Sequence, residues 1–113
     1  MSDARTVAER HLAAVREGDP AAMAADYHAD AVLVRGQERY EGRDRIAAYF
    51  ETVPDRLGGG RVDLELGPVE QQVVTVRWRI RGGPADGTRG HDVLTITEGA
   101  IEHQVVYLDD RDF

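Results

Sequence analysis

The 113-residue sequence contains no cysteine, which excludes disulfide bonds, thiolate nucleophiles and cysteine-ligated zinc. No stretch approaches the roughly 20 apolar residues that a membrane-spanning helix needs, and the polar start of the chain lacks the apolar segment of a secretory signal. Acidic residues also outnumber basic ones: the formal net charge is −7, which disfavours nucleic acids because phosphate binding needs a positive surface. We therefore expect a soluble cytoplasmic protein without nucleic-acid or membrane partners.

The chain does have enough apolar residues for a core. They make up 42% of the sequence, and its length is close to the usual size of one domain. A domain of this size can be stable without disulfide bonds or a metal ion. The sequence also has no zinc-like spacing of His, Asp and Glu and no glycine loop of the phosphate-binding type. We predict a single domain over residues 1–113, with no metal and no cofactor.

Helical patterns dominate the first half. Apolar residues recur at helical spacing over Asp3–Glu17, and an aspartate followed by proline then predicts a second, short helix, Pro20–Tyr27. A brief extended piece, Ala31–Arg35, follows. The third predicted helix is Arg43–Val53, and Pro54 is expected to end it because proline lacks the N–H that a helix interior requires.

The second half alternates apolar and polar residues with a period of two, which is typical of half-buried antiparallel strands. Four strands are predicted: Val62–Leu66, Val74–Ile80, Thr88–Thr97 and Ala100–Leu108. Gly67-Pro68 is expected to form the turn between the first two. Helices followed by strands indicate an α+β fold, with three N-terminal helices packed on a strongly curved antiparallel sheet that encloses a small-molecule pocket.

Two polar residues are predicted to point inward. His11 is four residues from both Val7 and Val15 on the apolar stripe of the first helix, so it is either hydrogen-bonded in the core or lines the pocket. Asp92 shares a strand face with the apolar Leu94. Asp92 either lies at a strand end that is open to solvent or faces the pocket, where the carboxylate must be paired, hydrogen-bonded or protonated because burying an isolated charge is unfavourable.

The same alternation assigns faces to the other strands. Trp78 is predicted to lie on the inner face, as core or as part of the pocket, and Val106 and Leu108 share the inner face of the last strand. The outer face of the last two strands carries Val93, Thr95, Val105 and Tyr107. Because a monomer does not usually expose so many apolar groups together, we expect a homodimer formed through this outer sheet face.

Several segments follow one another in a characteristic order, namely Gly18-Asp19, Tyr27–Val32, Tyr40–Phe50, Gly58–Val62, Gly67–Val69, Gly99–His103 and Tyr107–Asp109. In sequence and order they resemble the ketosteroid isomerase and SnoaL-like branch of the nuclear-transport-factor-2 (NTF2) superfamily. The resemblance spans nearly the whole chain. It implies the NTF2-like cone, in which the helices cover a curved sheet around a pocket.

The resemblance also implies a site. The position of the family's carboxylate base is occupied by Arg35, that of the tyrosine donor in the first helix by His11, and that of the protonated acid by Asp92. Arg35 cannot accept a proton. It either faces solvent or points into the cavity toward Asp92 or an anionic ligand. The family's tyrosine after the second helix is kept as Tyr27, and an aromatic pair as Tyr49-Phe50.

The resemblance therefore implies an isomerase- or cyclase-type enzyme that transfers a proton on a hydrophobic carbonyl compound, such as a polyketide or a steroid- or terpenoid-like molecule. His11, Asp92 and Arg35 are the candidate catalytic residues. The candidate substrate-binding residues are Tyr27, Tyr49, Phe50, Trp78, Val106 and Leu108. The alternative is a non-catalytic module on the same fold, either ligand-binding or a dimeric scaffold.

Overall fold

The computed structural model describes residues 3–109. Within that range the elements follow in the order α1 (Ala4–Glu17), α2 (Pro20–Ala25), β1 (Tyr27–Arg35), β2 (Glu38–Glu41), α3 (Arg43–Leu57), β3 (Arg61–Glu70), β4 (Val73–Arg81), β5 (Arg89–Thr97) and β6 (Ala100–Leu108). The α+β class is confirmed. The three helices do not all precede the sheet, however, because β1 and β2 lie between α2 and α3. None of the helices in this range has the length and apolar character needed to cross a bilayer.

The starts of α1 and α2 follow from capping side chains. The Asp3 carboxylate accepts a hydrogen bond from the Thr6 N–H at 2.8 Å, and the Asp19 carboxylate caps the first turn of α2. Between them Gly18 has a φ of 69°, a left-handed conformation that ends α1. The prediction that α2 reaches Tyr27 is wrong, because Tyr27 pairs with β6 and begins strand β1.

Pro54 does not end the third helix. It lies inside α3, which continues for three more residues to Leu57. Proline removes one hydrogen bond from the helix but already has a helical φ, so the last turn can form around it. Gly58, with a φ of 54°, closes the helix and donates its N–H to the Pro54 carbonyl at 3.1 Å.

The six strands form one sheet in the order β2-β1-β6-β5-β4-β3. The expected wholly antiparallel sheet is a mixed one, because β1 runs parallel to β6 while the other neighbours are antiparallel. A parallel pair requires a long crossover, and α3 together with the β3–β5 meander supplies it. The extended piece predicted at Ala31–Arg35 is the second half of β1, which forms a hairpin with β2.

Gly67 and Pro68 lie within β3 and do not form the predicted turn. The register between β3 and β4 shifts between Leu66 and Val69, as in a β-bulge. An edge strand tolerates a proline at such a point because the missing N–H breaks no ladder bond. The turn into β4 lies beyond it, where Gln71 has a φ of 56°.

The helices cover the inner face of the sheet. The largest fully buried side chains include Val7 of α1, Ile46 of α3, and Tyr27, Leu33, Ile80, Leu94 and Ile101 of the strands. Burial of each large apolar side chain is worth about 1.5–3 kcal/mol. The core therefore ties α1 and α3 to both halves of the sheet.

Two rows of paired residues cross the inner face, because partners on neighbouring strands point to the same side. One row runs from β1 to β3 through Arg35, Val106, Asp92, Val76 and Leu66. The neighbouring row runs through Leu33, Gln104, Leu94 and Val74. Both rows place polar side chains among apolar ones, and these mark the candidate site.

Candidate functional site

A cavity of about 630 Å³ lies between the helices and the inner face of the sheet. Its walls are mostly apolar, with side chains from α1, α2, α3 and β3–β6. The polar groups that reach it deep inside are His11, Asp92 and Gln104, whereas Arg16, Arg61 and Asp63 lie among the residues nearer the protein surface. Such a concave, apolar site with a few convergent polar groups is the usual form of a small-molecule site.

Asp92 is held by one hydrogen bond at each carboxyl oxygen. The Trp78 indole donates its Nε1–H to Oδ1 at 3.0 Å, and the Gln104 amide donates from Nε2 to Oδ2 at 2.9 Å. Burial raises the pKa of Asp92 from 3.8 to about 7, although the bonds from Trp78 and Gln104 partly oppose the shift. At neutral pH the carboxyl group is therefore suited both to accept a proton and to donate one.

The bond from Trp78 depends on the absence of a side chain at Gly90. These two residues are partners across β4 and β5. A Cβ atom on Gly90 would lie 2.4 Å from Cζ2 of the indole and 2.1 Å from the Tyr107 carbonyl oxygen, which is too close for real contacts. Glycine at this position lets the indole extend across β5 to the carboxylate of Asp92.

His11 is 3% exposed, and both ring nitrogens face protein partners. Nδ1 lies 3.3 Å from Oδ2 of Asp26, and the Arg10 Nε–H donates to the other oxygen of Asp26 at 2.6 Å. Burial opposes ionisation of Asp26, but the hydrogen bonds from His11 and Arg10 outweigh it and lower the pKa of this carboxyl. Asp26 is therefore an anion fixed between a histidine and an arginine.

Tyr27 connects His11 to Asp92 through Gln104. Its hydroxyl lies 3.4 Å from Nε2 of His11 and donates a hydrogen bond to Oε1 of Gln104, whose amide nitrogen binds Asp92. Burial, followed by the nearby Asp92, raises the pKa of Tyr27 well above its usual value, so the phenol keeps its proton. A continuous hydrogen-bonded chain thus leads from α1 to the carboxyl group in the cavity.

The cavity wall contains six of the nine residues that the sequence assigned to the site: His11, Asp92, Tyr49, Phe50, Trp78 and Val106. Tyr27 lies behind the wall, between His11 and Gln104. Leu108 is half-buried near the end of β6 and Arg35 is buried on β1, and neither is among the residues of the described chain that line the cavity.

Arg35 does not take the solvent-facing position that was one of the two considered from the sequence. It is 2% exposed, so it does not face solvent, and it shares the inner face with Asp92 two strands away. Its Nη1 lies 4.0 Å from Oε1 of Glu38, and the other carboxylate oxygen of Glu38, Oε2, accepts a hydrogen bond from the Tyr40 hydroxyl at 2.6 Å. Arg35 therefore acts on the cavity through its charge, which moderates the rise in the pKa of Asp92.

Sequence reasoning missed Asp26, Arg10 and Gln104 as parts of the site. Gln104 could have been found, because it is in phase with Val106 on the inner face, which is the argument that identified Asp92. Asp26 ends the short helix α2 with no local signal. Its contact with His11 follows only from the packing of α1 against the end of α2.

Comparison with known proteins finds a family whose sequence model matches most of the chain. The model of the SnoaL-like domain family matches residues 8–104. A protein from Agrobacterium tumefaciens, provisionally named an isomerase of the SnoaL-like family, is 26% identical and superposes with a TM-score of 0.74, covering 96% of this chain and 99% of its own. No curated protein has a matching sequence.

Two further solved structures share the fold at lower identity. A protein from Sphaerobacter thermophilus has a TM-score of 0.84 at 17% identity, over 99% of this chain and 100% of its own. A protein from Sinorhizobium meliloti, provisionally named a polyketide cyclase, has a TM-score of 0.78 at 18% identity, over 88% of this chain and 92% of its own. At these identities the likeness establishes the fold, and the function must be argued from the site.

Proposed function

The chain belongs to the SnoaL-like domain family, and we propose that it is an isomerase- or cyclase-type enzyme that transfers a proton on a hydrophobic carbonyl compound. The provisional names of two relatives, an isomerase and a polyketide cyclase, agree with this reaction class. The observation that carries the proposal is that Asp92 lies in an apolar cavity, where burial raises the pKa of its carboxyl group to about 7.

The cavity favours a substrate that is mostly apolar. Its volume of about 630 Å³ lies within the roughly 300–1,000 Å³ of pockets that hold drug-sized molecules. Val76, Leu94 and Val106 on the sheet face Leu12 and Phe50 on the helices. A polyketide or a steroid- or terpenoid-like molecule could bury its rings or chain against these surfaces and present a carbonyl group to the polar end.

In this proposal ionised Asp92 removes a proton from a carbon next to the carbonyl group. The C–H bond breaks, its electron pair forms an enolate, and the proton moves to the carboxylate. Protonated Asp92 then returns the proton to another atom, which completes an isomerisation. Burial raises the pKa of Tyr49 to about 12, so this cavity-lining phenol stays a neutral O–H donor suited to an enolate oxygen.

His11 has a supporting role in this scheme. Both of its nitrogens face protein groups, Asp26 and Tyr27, so it contributes a ring surface to the cavity and electrostatic support to the enolate rather than direct proton transfer. Asp92 is the acid–base group that meets the substrate.

Proton transfer can be tested before the natural substrate is known. A panel of hydrophobic ketones and enones is incubated with the protein in D2O, and deuterium uptake next to the carbonyl is measured by mass spectrometry. We expect catalysed exchange that falls about 10²–10⁴-fold in Asp92→Asn. Asp30→Asn, an exposed position on β1, is the matched control and should be unaffected. Equal exchange rates in Asp92→Asn and the wild type would refute the proposal.

A ligand-binding module without catalysis is the second candidate. It is favoured by Arg35, which stands where the resemblance places the base and cannot take a proton. In that case a compound would bind in the cavity and be recovered unchanged without deuterium, and Asp92→Asn would alter only its dissociation constant.

We further propose that two copies of the chain associate through the outer sheet face. Val93 and Val105 are cross-strand partners there, and Tyr107 is 46% exposed with its ring stacked on His91 at 4.9 Å. Covering this apolar area with the same area of a second copy, around a twofold axis, would remove it from water.

A further inference from the structure

The hydrogen bonds behind the cavity form one directed chain, and we propose that Asp26 and His11 control the protonation of Asp92 through Tyr27 and Gln104. Asp26 is then a positioning residue, since it does not line the cavity and acts on the substrate only through other groups. This inference deepens the proposed function, in which Asp92 carries the proton, but its test needs no substrate.

The direction of the chain follows from the number of protons on each group. The Gln104 amide uses its nitrogen to bind Asp92, so its oxygen must accept the single proton of Tyr27. The Tyr27 oxygen is then left to accept from Nε2 of His11, and Asp26 requires a proton on Nδ1. In this direction His11 carries both protons as an imidazolium, paired with the Asp26 anion, and Asp92 is ionised.

The same atoms can be satisfied in the opposite direction. If Asp92 is protonated, its O–H donates to the Gln104 oxygen once the amide has turned over. The amide nitrogen then donates to Tyr27, and the Tyr27 hydroxyl donates to Nε2 of His11. His11 now keeps only the proton that it shares with Asp26. The two arrangements have the same net charge and differ in whether one proton resides on His11 or on Asp92.

Other charges around Asp92 do not depend on the direction of the chain. Arg35 on β1 and His91 on β5 both favour the ionised carboxylate. Tyr49 on α3 and Tyr27 on β1 are phenols with raised pKa values and remain neutral. These groups set a background that a substitution at the far end of the chain leaves unchanged.

Asp26→Asn, made with and without Tyr27→Phe, separates control through the chain from simple electrostatics. Removing a nearby negative charge by itself lowers the pKa of a carboxyl group, whether or not the chain is intact. In the chain, the new amide keeps its oxygen toward Arg10 and turns its N–H group to Nδ1 of His11, so a neutral ring carries its proton on Nε2 and donates it to Tyr27. The direction that leaves Asp92 ionised is then favoured, and the pKa of Asp92 falls further than electrostatics alone would lower it.

The experiment follows the Asp92 carboxyl carbon by ¹³C NMR during a pH titration, with the signal assigned by its absence in Asp92→Asn. We expect Asp26→Asn to lower the midpoint by about one pH unit, or about tenfold in proton affinity. In Tyr27→Phe, which interrupts the chain, Asp26→Asn should lower the midpoint by much less. Gln104→Leu replaces Tyr27→Phe if that variant does not fold, and Asp30→Asn is the control for a distant charge.

A midpoint that rises in Asp26→Asn, or that falls equally in the Tyr27→Phe background, would overturn the inference. Neither result bears on deuterium exchange. If Asp92→Asn abolishes exchange while the titration fails, the proposed function stands without control by Asp26. If the titration succeeds and no compound exchanges, the chain of hydrogen bonds belongs to a binding site.

Discussion

Replacing Asp92 with asparagine should remove a pH dependence from the stability of the protein. Burial raises the pKa of Asp92 from 3.8 to about 7, so between these values the folded state holds a proton that the unfolded state has lost. The free energy of unfolding therefore decreases as pH rises through this window. A shift of about three pH units, at about 1.4 kcal/mol for each unit, lowers the free energy of unfolding by about 4 kcal/mol. The whole loss is present above pH 7.

Urea denaturation of both proteins between pH 4.5 and pH 8.5 measures this difference. The wild type should lose stability relative to Asp92→Asn as the pH rises, and contributions from groups that are unaffected by Asp92 cancel in the comparison. Asp26 does not obscure the result. Its pKa is lowered, so the stability that it provides is present at higher pH and is lost only as the pH falls below about 4.

The m-value, which is the slope of the free energy of unfolding against urea concentration, provides an internal control because it should stay constant across the series. A difference between the two proteins that does not change with pH would refute the reasoning. It would mean that water in the cavity solvates Asp92 well enough to keep its pKa ordinary, and the acid–base role would lose its physical basis.

Three further outcomes are expected. Gly90→Ala should lower the free energy of unfolding by about 1–3 kcal/mol in urea denaturation, because the added Cβ would clash with the Tyr107 carbonyl and the Trp78 indole. Unchanged stability would contradict the tight contact at Gly90. Arg35→Met should raise the pKa of Asp92 in the ¹³C titration, since it removes a positive charge that favours the ionised form, and a fall would oppose the assigned sign. Val105→Asp with Tyr107→Asp should convert the proposed dimer to monomer in analytical ultracentrifugation, whereas an unaffected dimer would exclude this face.

Local signals predicted most elements but not their ends. Capping aspartates and left-handed glycines act within one turn, so the starts of α1 and α2 could be read from the sequence. Pro54 and the Gly67-Pro68 pair were misinterpreted because their effect depends on surroundings. A helix continues past a proline when its last turn can form, and an edge strand absorbs a proline in a bulge.

The site was predicted in the same uneven way. Periodicity places His11 and Asp92 inward, and the structure has both in the cavity wall. The roles assigned to them remain predictions. Gln104 was available to the same argument but was not singled out. Arg35 was left undecided, because a strand pattern gives the face of a residue and not the partner that its long side chain reaches.

Spacing within a few residues and the order of segments were enough to predict most helices and strands, the apolar face of the four predicted strands and the family of the chain. Tertiary packing produces the parallel pairing of β1 with β6, the burial of Arg35 and the chain of hydrogen bonds from Asp26 to Asp92, none of which local spacing predicts. Those features join residues distant in sequence, and their hydrogen bonds exist only once the helices have closed over the sheet. The raised pKa of Asp92 has the same origin, since it follows from the removal of water around a carboxyl group that an isolated strand would leave solvated.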